Sequence, residues 1–77
     1  MFNKRDLCEE IGNFFGTFYE DVSGFLVIDD GIFVRTYKTE DELLKDWFYV
    51  LMGYNDTAGD DYWTDVIEYI QNYVIDY

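Results

Sequence analysis

Carboxylates at helical spacing are the residues of this chain best placed to do chemistry. Asp61, Asp65, Glu68, Asn72 and Asp76 follow one another at intervals of three and four. On a helix that spacing lines them along one face, with about 5–6 Å between Cβ atoms. Such a row offers ion pairing to a row of Arg and Lys. It does not offer proton transfer, because no carboxyl is set apart as acid or base. Tyr62, Tyr69 and Tyr73 border the row. Tyrosine is enriched at interfaces, and its ring stacks under a guanidinium while a nearby carboxylate pairs with it. The plainer alternatives are a solvated helix face and tyrosines that finish a small core. No Lys or Arg occurs after Lys45, so nothing in the C-terminal part of the chain offsets the charge. That one-sidedness favours a binding face.

Other chemistries lack their parts. There is no histidine, and the only serine, Ser23, lies in a turn-like Val-Ser-Gly context. No Ser-His or Cys-His pair can therefore form. Cys8, the only cysteine, stands next to Glu9 and Glu10, whose charge disfavours a thiolate. A zinc site cannot be built from one Cys and no His. The acidic stretches at Asp29-Asp30-Gly31 and from Asn55 to Asp61 lack calcium-loop spacing. Counted from Asp56, the twelfth position is Ile67 and not Glu. No phosphate-binding glycine loop occurs. An acyl-carrier role needs a serine after Asp at a helix start, and Ser23 follows Val22. The expectation is a protein that is not an enzyme and holds no cofactor or metal.

The whole chain repeats the theme of its last helix. Seventeen Asp and Glu face five Lys and Arg, for a net charge of −12 in 77 residues. Acidic chains poor in aromatics are usually disordered. This one is 49% hydrophobic and 22% aromatic, so the charge is expected on a folded surface. Residues 1–77 make one small acidic globular domain by length. One free thiol, no signal-peptide pattern and no long apolar run suggest a cytoplasmic protein, without membrane contact. A dense negative surface suits a partner with a positive site, as nucleic-acid-binding proteins have. Direct binding of nucleic acid by this chain is not expected.

The elements that must position these groups form an α+β order, α-β-(β)-β-α-α. Leu7, Ile11, Phe14, Phe15 and Phe18 recur at helical spacing. They predict a helix from Lys4 to Phe15, N-capped by Asn3, weakened by Gly12 and ended by Gly16. Phe25 to Ile28 and Ile32 to Val34 flank Asp29-Asp30-Gly31, a hairpin signal. Both hairpin faces are apolar: Phe25, Val27, Ile32 and Val34 on one, Leu26, Ile28 and Phe33 on the other. Thr17 to Asp21 is a candidate third strand, turning at Ser23-Gly24. Thr39 with Glu42 forms a capping box. The helix it opens carries Leu43, Leu44, Trp47, Val50 and Leu51 on one side and is expected to stop near Gly53. Tyr54 to Gly59 then reads as a loop. A last helix starts near Asp60 or Asp61 and extends toward the end of the chain, with Trp63, Val66, Ile67, Ile70, Val74 and Tyr77 as its core stripe.

Besides Asp61, Asp65, Glu68, Tyr69 and Asp76, candidate partner-binding residues are Asp29 and Asp30 at the hairpin tip and Asp56 and Asp60 before the last helix. Further acidic groups are Glu40, Asp41, Glu42 and Asp46, with Lys45 expected to pair with Asp41, and Glu9, Glu10, Glu20 and Asp21. Sequence leaves open which of these share a face.

By size, charge and element order, and without a shared motif, the chain resembles small phage- and mobile-element-encoded inhibitors: anti-CRISPR and anti-restriction proteins that mimic DNA. The resemblance implies occupation of a nuclease's duplex-reading site by carboxylates standing in for phosphates. It also implies a host-cell cytoplasmic location if the gene is phage-borne. No residue carries over, since there is no motif to align. An immunity protein or antitoxin, which inhibits a basic nuclease by the same physics, is the second reading. A homo-oligomer with the two-sided hairpin and the Tyr-rich helix as a dimer seam is the third.

Overall fold

The computed structural model describes residues 3–58 and 61–75. Asn3 caps helix α1 (Lys4–Phe15), its side-chain oxygen accepting from the Asp6 N–H at 2.8 Å. Leu7, Cys8 and Ile11 point inward from it. Gly12 costs helix stability, but a Cβ there would sit 2.5 Å from the Phe18 Cβ. The glycine lets the first strand lie directly on the helix. Gly16 ends α1, its N–H returning to the Gly12 carbonyl at 2.8 Å.

Three short strands follow: β1 (Thr17–Glu20), β2 (Leu26–Asp29) and β3 (Val34–Tyr37). They form one antiparallel sheet in the order β1-β2-β3. The third-strand candidate is therefore a strand. β2 is central, so its backbone is paired on both sides and its side chains are the best buried. Leu26 and Ile28 enter the core against the helices. Val27 faces the other way, between Tyr19 and Thr36, and is buried there too.

The hairpin departs from expectation. Ile32 and Phe33 lie outside the strand ladder, whose last rung is Asp29 with Val34; the Phe33 carbonyl instead closes the turn by accepting from the Asp30 N–H at 3.2 Å. Asp30 explains the longer turn, because its Oδ1 accepts from the N–H groups of Ile32 at 2.9 Å and Phe33 at 2.7 Å. Gly31 takes the positive φ of 90° that this turn requires. Ile32 and Phe33 are left 82% and 62% exposed.

Thr39 Oγ1 accepts from the Glu42 N–H at 3.2 Å, opening α2 (Glu40–Ala58). The Glu42 carboxylate reaches past the cap to the Lys38 N–H at 3.0 Å. Leu43, Leu44, Trp47 and Leu51 are buried as the spacing predicts. Val50 is not; it is 45% exposed, and Phe48 takes the inward position. The expected stop at Gly53 and the loop after it are also corrected, since α2 continues to Ala58. One interior glycine costs about 1 kcal/mol. Packing of Tyr54 against Phe14, Phe15 and Trp63 outweighs it. Helix α3 (Asp61–Tyr73) buries Trp63, Val66 and Ile70, with Ile67 and Val74 partly buried beside them; Tyr77 lies outside the described residues.

Candidate functional site

Helix α3 is held by one apolar stripe and presents the reverse side outward. With Trp63, Val66 and Ile70 buried, Asp61, Asp65 and Glu68 lie near the opposite pole, at 100° per residue. All three are exposed. None makes an ion pair or hydrogen bond through its carboxylate among the described residues. Asp60 and Asp76, the other two candidates expected beside this row, lie outside the described residues, and α3 ends at Tyr73, short of the expected run toward the chain end.

The tyrosines sit on one flank of the row. Tyr69 is half-buried, with its ring centroid 5.1 Å from that of the exposed Tyr73. The Tyr62 hydroxyl donates to Glu10 Oε2 of α1 at 3.1 Å. Phe14 of α1 meets Trp63 edge-on at 4.8 Å. Through these contacts Glu10 becomes a neighbour of the α3 face. In sequence Glu10 belongs to a separate acidic group, and no local signal joins residues 52 positions apart.

Eight carboxylates elsewhere are engaged in holding the fold, while Asp6 and Glu9 on α1 are exposed like the α3 row. Asp29 Oδ1 accepts from the Gly31 N–H at 2.9 Å. Asp30 holds the same turn, and its Oδ2 lies 3.4 Å from Arg35. The N–H groups of Phe33 and Ile32 keep the Asp30 carboxyl below its ordinary pKa, with Arg35 adding to the effect. Asp21 caps the β1–β2 turn through the Ser23 and Phe25 N–H groups, both at 2.9 Å. Arg5 pairs with Glu20 at 2.6 Å and with Glu40 at 3.5 Å. Asp41 pairs with Lys4 at 2.9 Å, which corrects the expected pairing with Lys45. Asp46 accepts from the Tyr37 hydroxyl at 2.5 Å. The hairpin-tip pair thus belongs to a turn, while Asp56 stands exposed near the end of α2.

Cys8 is fully buried, and burial together with the Glu40 charge pushes its thiol up to about 12. It stays protonated at neutral pH and is a core residue. Among the described residues no three potential metal ligands converge. No described helix is long and apolar enough to cross a membrane. What the α3 face can do is bind cations: three unpaired carboxylates in a row, a fourth from Glu10 and a border of tyrosine rings.

No protein-family model matches the chain, and comparison with curated proteins and with solved structures likewise gives no match.

Proposed function

We propose that this chain is an acidic inhibitor that occupies the basic nucleic-acid-binding site of a host defence enzyme, a CRISPR effector or a restriction system. Carboxylates take the place of DNA phosphates there. The observation that carries this reading is the contrast within the molecule. Eight other carboxylates serve turns, a cap, ion pairs or a tyrosine hydroxyl, whereas Asp61, Asp65 and Glu68 form an exposed row without an ion pair among the described residues. Like charges at this spacing cost about 0.2–0.5 kcal/mol per pair in a helix. A row that weakens its own helix is readily understood if it serves a ligand.

The mechanism follows from electrostatics. A body of net charge −12 is steered toward a positive cleft at long range. At contact, Arg side chains bridge carboxylates and stack on Tyr69 or Tyr73, in the manner of charge-assisted, cation–π recognition. Counterions released from the basic cleft add to affinity as they do for DNA.

The test is a pull-down from host lysate with the tagged protein, followed by competition with duplex DNA. The reading expects a nucleic-acid enzyme to be recovered and to be displaced by DNA. A recovered enzyme that binds DNA and this protein together overturns the mimicry. Recovery of a toxin nuclease encoded beside this gene assigns the same face to immunity against a toxin.

A further inference from the structure

A second exposed face stands on the middle helix and is built differently. The outer side of α2 carries Tyr49, 71% exposed, with Val50 and Met52 at 45% and 41% on its two borders. One turn further along the same side is Gly53, where an added Cβ would meet nothing within 4 Å. Gly53 has no positive φ and admits no close neighbour within the molecule. Nothing inside this fold requires a glycine in the middle of this helix.

The residues in line with these two complete a pattern. Lys45 lies four before Tyr49, and Asp56 lies three after Gly53. At 100° per residue, positions 45, 49, 53 and 56 fall within an arc of about 80°, opposite the buried stripe. The stripe reads Lys, Tyr, Gly, Asp. Turned end for end against itself, it sets Lys against Asp and Tyr against Gly. The midpoint of Lys45 and Asp56 and that of Tyr49 and Gly53 agree to within about one residue's rise, ~1.5 Å. One two-fold axis therefore serves both pairings. Neither Lys45 nor Asp56 is in an ion pair among the described residues, although the chain has 17 acids for five bases.

We propose that this face of α2 is a self-complementary contact through which two copies of the chain pair antiparallel. Tyr49 of each copy lies over Gly53 of the other, and Lys45 of each meets Asp56 of the other. Absence of a Cβ at Gly53 lets the helix axes approach to the short end of the usual 8–10 Å range. Such a contact is isologous, as a closed dimer requires. A single helix crossing buries less than the roughly 1,200 Å² of a standard interface, so the dimer is weak and forms at high concentration. Its salt dependence is distinctive. Repulsion between two bodies of charge −12 acts over the Debye length, about 30 Å in 0.01 M salt and 8 Å in 0.15 M. Added salt therefore tightens this dimer, in the opposite sense to an interface between acidic and basic partners.

Sedimentation equilibrium with the full chain, loaded up to about 1 mM, tests the proposal without any partner enzyme. The dimer should tighten as salt rises from about 0.05 to 0.5 M. Lys45→Asp and Asp56→Lys should each weaken it at least tenfold, about 1.4 kcal/mol. The double variant K45D/D56K should return to within about threefold of the original. Gly53→Leu should weaken it as much, while circular dichroism of dilute protein stays unchanged. A chain that remains monomeric at about 1 mM in high salt overturns the proposal. So does a dimer that ignores these substitutions, or one the double swap does not restore. Each of these outcomes is independent of whether the α3 face inhibits a nuclease.

Discussion

Asp61, Asp65 and Glu68 and Trp63 share one helix and answer to different forces. Replacing the three acids with Asn, Asn and Gln removes repulsion, so the fold should persist and the melting temperature should hold or rise, by calorimetry. Inhibition of the target should weaken at least tenfold, about 1.4 kcal/mol, if the carboxylates pair with Arg or Lys. Unimpaired inhibition by the folded triple variant would move the binding face away from α3. Trp63→Ala acts on the other side. The indole is 2% exposed, and its loss should cost about 3–5 kcal/mol, read from the urea midpoint. Cys8 yields a pH prediction. Its thiol is raised from 9.0 to about 12 in the folded chain, so the unfolded chain loses this proton first as pH rises. Unfolding stability should accordingly fall from about pH 9 upward, and Cys8→Ala should lose part of that slope in urea melts at pH 8 and 10.5. An unchanged slope in Cys8→Ala would remove the thiol as a cause.

Among the elements, two mid-helix glycines make opposite predictions. Gly12→Ala drives a methyl into Phe18 and should destabilise by about 1–3 kcal/mol despite the gain in helix propensity. Gly53→Ala meets open space and should stabilise the dilute protein by up to about 1 kcal/mol. Thermal melts of the two variants should move in opposite directions. The same pair shows what sequence discloses of this fold. Asn3, Gly16 and Thr39 act through their immediate neighbours, so the start of α1, its end and the start of α2 were legible. Gly53 looked like a stop because propensity is local, whereas Tyr54 pulls α2 onward through rings far off in sequence. Phe48 displaced Val50 for a related reason: the width of the buried arc depends on what packs across it. At the candidate site, the row on α3 was legible as a period. Glu10 joining it was not, because only the packing of α1 against α3 brings the two together.

For the whole molecule, salt sets two responses against each other. Screening relieves self-repulsion at −12, so the melting temperature of the free protein should rise with salt. Association with a basic partner should weaken over the same range as steering is lost. An affinity that is constant between about 50 and 500 mM salt would indicate an interface that is mainly apolar. The free chain should not shift DNA in a low-salt gel, since three of its five cations are already paired within the fold. The two tryptophans carry a further consequence. Trp63 sits among Phe14, Tyr54 and Tyr62 on the side of α3, while Trp47 is stacked on Phe15 at 4.6 Å with the Arg35 guanidinium 5.2 Å from its ring. Each indole is fixed in a different asymmetric surround within one aromatic cluster joined through Phe14, Phe15 and Tyr54, so the chain holds two optical reporters of the same core. Trp47→Phe and Trp63→Phe would leave one emitter each, and coincident fluorescence transitions of the two variants would show that the Phe15 and Phe14 sides of this cluster come apart together.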